Sequence, residues 1–166
     1  VVDIAAALAG DDPGPVAARI GEACEDIGFV VVAGHGIDPG LVAAARTAGL
    51  AFFGLPDAVK RRWCPPDPTW FRGYEPVGVS AFGRLEGDDP PPDLCEMIRI
   101  GLFDDPVAAR AAGYEPGLEH TFSPNIWPAE VPELRAALGA YYDAVEDLAF
   151  ALLELFAVAL DLDDGW

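Results

Sequence analysis

At 166 residues, the chain can form one domain or part of a larger one. Its 52% hydrophobic content suffices for a buried core, which argues against disorder despite a net charge of −18. That charge repels nucleic acid and anionic membranes, and no basic stripe offsets it.

No apolar run reaches the roughly 18 residues that a membrane span needs. Val1-Val2-Asp3-Ile4 lacks a basic segment and reads as a strand already under way, so a trimmed start without a signal peptide is expected. Cys24, Cys64 and Cys95 are odd in number and widely spaced, which fits reduced thiols in the cytoplasm. Nine arginines to one lysine, with abundant Ala, Gly, Asp and Pro, suggest a GC-rich bacterial source.

Pro13-Gly14-Pro15 opens the first predicted helix, with Val16, Ile20, Ala23, Cys24 and Ile27 on its apolar face and Gly28 at its end. Residues 29–33 form a continuous apolar run that predicts a buried strand. Gly34-His35-Gly36 turns the chain. Asp38-Pro39 reads as an N-cap with proline at the first helical position.

The second helix is predicted over Pro39–Phe53, with a broad apolar face of Leu41, Val42, Ala45, Ala48, Leu50, Phe52 and Phe53. Leu55-Pro56-Asp57 breaks it and begins a short helix ending near Trp63. A Pro- and Gly-rich irregular stretch follows over residues 64–93, long enough to suggest a functional loop. Residues 70–79 within it can be extended. Residues 95–100 read as a strand, with Glu96, Ile98 and Ile100 on one face and Cys95, Met97 and Arg99 on the other. After another loop, residues 132–160 form the longest helix, carried by Leu134, Leu138, Tyr141, Val145, Leu148, Leu152, Leu155, Phe156 and Leu160 at a near-3.6 period.

The chemical motifs are sparse. Gly34-x-Gly36 after a strand invites a dinucleotide loop, but the third glycine position holds Pro39 and no second strand follows. A tight turn with positive φ is the better reading. His35 and His120 are the only histidines. Neither opens the His-x-Asp of an iron facial triad, so a hydrogen-bonded turn histidine is expected at position 35. Ser80 and Ser123 lack a nucleophile-elbow context. Glu22, Glu25 and Asp26 belong to a solvated helix face, and Cys24 to the core. Arg72-Gly73-Tyr74 is more unusual, because it sets a cation and a phenol around a glycine in an aromatic-rich loop.

The order of these pieces resembles the N-terminal region of the isopenicillin N synthase-like Fe(II)/2-oxoglutarate-dependent dioxygenases. Five segments carry the resemblance. The first is Ala23-Cys24-Glu25-Asp26-Ile27-Gly28-Phe29, leading to Gly34-His35-Gly36-Ile37. The others are Phe52-Phe53-Gly54-Leu55-Pro56 with Lys60; Arg72-Gly73-Tyr74 with Gly78; Asp93-Leu94-Cys95-Glu96 with Gly101; and Asn125-Ile126-Trp127-Pro128. Gly34 stands where that family usually has Asn, and Cys95 where it usually has Lys.

The resemblance implies an α+β fold: an N-terminal helical region over residues 1–166, with a few strands that would join a double-stranded β-helix (jelly-roll) core absent from this chain. It implies an oxygenase of a small organic substrate, acting by hydroxylation, desaturation or ring closure. Fe(II), 2-oxoglutarate and O2 would be held by the complete enzyme, with the chain's own C-terminal jelly-roll as partner. No catalytic, cofactor-binding or metal residue carries over to this chain, which alone would be inactive. Arg72 and Tyr74 are the candidate substrate-binding residues. The alternative reading is a freestanding, non-catalytic interaction module derived from the same domain.

Overall fold

The computed structural model describes residues 1–79, 91–104, 106–113 and 123–163. The chain divides into two units, Val1–Ala44 with Leu138–Trp166, and Ala45–Ala137. The described residues are helix-rich with few strands, as the α+β expectation has it.

In the first unit, β1 (Val2–Asp3) pairs in parallel with β2 (Val32–Ala33), Val2 opposite Val32. A short helix, α1 (Ala5–Leu8), follows β1. Asp12 accepts the Gly14 N–H at 3.0 Å, where α2 (Gly14–Asp26) begins with proline in its first turn. Proline is tolerated there because that N–H has no helical partner in any case. Val16 and Ile20 of α2 pack with Val2, Ile4 and Leu155 into one apolar cluster, and Cys24 leans against it. Each such side chain contributes about 1.5–3 kcal/mol on leaving water.

Two expectations for this unit are corrected. Ile27 is 70% exposed rather than part of the apolar face of α2. Residues 29–33 are not a fully buried strand, since Phe29 is 80% and Val31 64% exposed. The cause is one-sided pairing. Val30 and Val32 turn to the cluster, while the alternate residues face away, as strand periodicity requires. After β2, Gly34 and Gly36 adopt φ of 68° and 74°. The Asp3 carboxylate lies where a Cβ on Gly34 would fall, so the turn also requires the missing side chain.

Helix α3 (Pro39–Phe53) starts where Asp38 accepts the Gly40 N–H at 2.7 Å. Its buried residues are Ala45, Ala48 and Phe52, a narrow stripe at i, i+3, i+7. Val42 and Leu50, expected on a broad apolar face, are exposed. Pro56 precedes α4 (Asp57–Lys60), which runs into a 3-10 turn over Arg61–Trp63.

In the second unit, β3 (Gly73–Glu75) pairs antiparallel with β4 (Met97–Arg99), Tyr74 opposite Ile98. A six-residue helix, α5 (Pro106–Ala111), occupies a stretch expected to be loop. Its alanines favour helix, but six residues are too few to set up a readable period. The last helix, α6 (Glu133–Ala159), has residues in both units. It ends with Asp161 at φ 53° and the Leu162 N–H bonded to the Ala157 carbonyl at 3.0 Å, a left-handed cap. Among the described residues, no helix is long and apolar enough to cross a membrane.

Candidate functional site

The second unit gathers its polar side chains around the two-stranded sheet. Alternation along β3 and β4 sends Tyr74 and Glu96 to one face, and Glu75 and Arg99 to the other. On the first face, Glu96 Oε2 accepts from Lys60 Nζ and from the Tyr74 hydroxyl, each at 2.5 Å. The Lys60 ammonium lies 5.5 Å from the Tyr74 ring centre, and the Phe52 ring meets Tyr74 edge-on at 5.6 Å.

Lys60 is 7% and Tyr74 1% exposed. An ammonium this buried is stable only beside a carboxylate. The Lys60 hydrogen bond, then that of Tyr74, holds the Glu96 carboxyl below its usual range. Burial first, and the Glu96 carboxylate second, push the Tyr74 phenol well above the ordinary tyrosine range. Tyr74 is therefore a neutral donor whose hydroxyl is committed to Glu96.

A second network fixes the far end of β4. Asn125 Oδ1 accepts the Gly101 N–H at 2.8 Å, and its Nδ2 donates to the Gly101 carbonyl at 2.8 Å. Asn125 Nδ2 and Trp127 Nε1 both donate to Asp104 Oδ1, at 3.0 and 2.9 Å, and Arg135 pairs with the same carboxylate. Burial would raise the Asp104 carboxyl, but these donors outweigh it and hold the group low. Arg72 is 8% exposed, donates to the Phe71 carbonyl at 2.8 Å and packs its guanidinium onto Gly101.

The second unit also holds a cleft of about 360 Å³, within the usual range for small-molecule sites. Cys64, Trp70, Phe71, Arg72, Tyr74, Glu75 and Arg99 are among its lining residues. Arg99 pairs with Glu75 at 2.5 Å, and its guanidinium carbon sits 5.8 Å from the Phe71 ring centre. Burial raises the Cys64 thiol. Gly73, at φ 78°, lets the chain pass 2.6 Å, measured from an imagined Cβ, from the Trp63 carbonyl. A larger hollow of about 680 Å³ in the first unit is bounded by the solvated acids Glu22, Glu25 and Asp26 and gathers no such convergent set.

The structure thus brings both sequence-predicted residues, Arg72 and Tyr74, to the wall of one cleft. His35 is the turn histidine, its Nδ1 accepting the Ile37 N–H at 3.1 Å. Ser123 is buried at 1% exposure. His120 and Ser80 lie outside the described residues. Sequence reasoning did not single out Lys60, Glu96 and Arg99 as site residues. The strand alternation at 95–100 already separated Glu96 from Arg99, and that was the available signal.

Residues 1–130 match the family described as non-haem dioxygenase in morphine synthesis, N-terminal. The chain belongs to this non-haem dioxygenase N-terminal family. It is 34% identical over 178 residues to validamycin A dioxygenase of Streptomyces hygroscopicus subsp. limoneus, covering 100% of this chain and 44% of that protein. It is also 34% identical over 173 residues to the 2-oxoglutarate-dependent dioxygenase citB of Monascus ruber, covering 96% of this chain and 47% of that protein. Among solved structures, a 2OG-Fe(II) oxygenase family protein of Caulobacter crescentus superposes with a TM-score of 0.74 at 26% identity, over 98% of this chain and 49% of that one.

The chain therefore spans less than half the length of these curated relatives. Oxygenases of this family depend on Fe(II) and 2-oxoglutarate. The described residues do not fit the iron: no three His, Cys, Asp or Glu side chains among them gather as a metal site. His35 Nδ1 is moreover engaged in its own turn.

Proposed function

We propose that this chain is the N-terminal part of an Fe(II)/2-oxoglutarate oxygenase that acts on a small organic substrate by hydroxylation, desaturation or ring closure. In this reading, the iron triad and the oxoacid site belong to a jelly-roll domain C-terminal to residue 166, and the 166 residues alone are inactive. The polypeptide works in the cytoplasm, with Cys24, Cys64 and Cys95 as free thiols.

The chain's own share of the work is part of the substrate entrance. The observation that carries this is the cleft of about 360 Å³ with Arg72 and Tyr74 both in its wall. The two residues contribute differently. Tyr74, buried with its hydroxyl bonded to Glu96, shapes and stiffens the wall. Arg72 places fixed positive charge beneath the wall, where a polar substrate group gains from charge-assisted contact.

Two measurements test the reading. Anaerobic Fe(II) titration of the 166-residue chain should give no tight binding, and 2-oxoglutarate decarboxylation should be absent. Micromolar iron affinity that disappears in His35→Ala would overturn this. In the full-length gene product, Arg72→Ala should raise the substrate KM, and an unchanged KM would make Arg72 a purely structural residue.

A further inference from the structure

The cleft is a positive spot on a strongly negative chain. Among the described residues, its charged lining is two guanidinium groups, Arg72 and Arg99, against one carboxylate, Glu75, while the chain as a whole carries −18. Among the described residues, Glu75 takes one donor of Arg99 and leaves the rest of its fork, in a side chain 32% exposed. Phe71 beneath it is 60% exposed, and half-buried Trp70 shares the wall. A flat apolar body and an anionic head match this lining, and such a ligand would meet repulsion over most of the remaining surface.

Resting on the reading of the cleft as substrate entrance, we infer that Arg99 is its specificity-determining residue and selects a ligand with a planar apolar body and a carboxylate. The carboxylate would be read by the free side of the guanidinium fork, which suits two parallel hydrogen bonds. The body would lie along Trp70 and Phe71. Glu75 orients Arg99 through their diagonal pair across β3 and β4, and competes with the ligand for its charge.

The test uses the full-length gene product without iron, and a readout independent of turnover. Cys64 lines the cleft, and Cys95 is exposed outside it, so site-resolved maleimide alkylation reports occupancy with an internal reference. The probes are 1-naphthoate, 1-naphthamide and 1-naphthylmethylamine, one flat body with three head groups. Naphthoate should protect Cys64 at concentrations about tenfold below the amide, and the amine should protect least.

Arg99→Gln should weaken naphthoate about tenfold and leave the amide within about twofold. Glu75→Gln, which keeps Arg99, should strengthen naphthoate. Equal protection by naphthoate and amide, unchanged by Arg99→Gln, overturns the charge inference and leaves the cleft as a ligand site. Weaker naphthoate binding in Glu75→Gln also overturns it. Protection of Cys64 by none of the three overturns it together with the entrance reading.

Discussion

The guanidinium of Arg72 occupies the space a Cβ on Gly101 would need. The contact joins two segments that are 29 positions apart in sequence, each recognisable by its own short motif. It also gives a nearly buried arginine a seat beside the cleft. The glycine is required by volume here, not by backbone conformation.

Gly101→Ala should therefore push Arg72 from its seat. The expected cost is about 1–3 kcal/mol, typical of overpacking a filled site. The check is a double-mutant cycle by chemical denaturation of the full-length gene product. In an Arg72→Ala background, the added methyl should cost less by at least about 0.5 kcal/mol, because the two residues share the site. Strict additivity would count against the contact.

Lys60 and Glu96 should behave as a pair whose members cannot be removed singly. Lys60→Met leaves Glu96, among the described residues, with only the Tyr74 donor, and should cost about 3 kcal/mol, the lower end for a broken buried pair because the Glu96 side chain is 28% exposed. Tyr74→Phe removes one hydrogen bond and should cost about 1–2 kcal/mol. Denaturant midpoints for the two variants measure both losses, and the order of their sizes is the prediction.

The same cluster sets a pH signature. Glu96 is held below its ordinary value of 4.5, so it contributes stability above that pH and loses it as the pH falls through the lowered value. Tyr74 is raised above its ordinary value of 10.0, so its contribution is complete below pH 10.0 and lost as the pH rises above it. Glu96→Gln should flatten the acid limb of a stability profile, and Tyr74→Phe the alkaline limb. Unchanged slopes in both variants would remove the cluster from the account.

These contacts mark what the sequence could and could not tell. The long helices were legible, because Pro13-Gly14-Pro15, Asp38-Pro39 and the period of Leu134 to Leu155 are local signals, whereas the short α1 and α5 were not. The five motif segments were legible as segments. Their convergence was not: Lys60, Tyr74 and Glu96 come from three of them, and Gly101 and Asn125 from two, and no local pattern encodes such pairings. The buried strand expected at 29–33 failed for a related reason. An apolar run states that residues are hydrophobic, but the number of neighbours a strand has is a tertiary fact.

In the first unit, Phe29 is 80% and Val31 64% exposed, Phe150 on α6 is 62% exposed, and Leu160 just after α6 is 66% exposed. Soluble monomers rarely leave large contiguous apolar surface in water. β2 also has a partner on only one side, β1, among the described residues, so its other edge offers unpaired backbone groups. The 166-residue chain alone should therefore self-associate or bind a hydrophobic dye, with its net charge of −18 opposing precipitation without supplying a core. Sedimentation velocity and dye fluorescence on the purified chain measure both. Phe29→Ser with Phe150→Ser should lower both signals. A compact monomer with a sharp melt would favour a freestanding interaction module over part of an oxygenase.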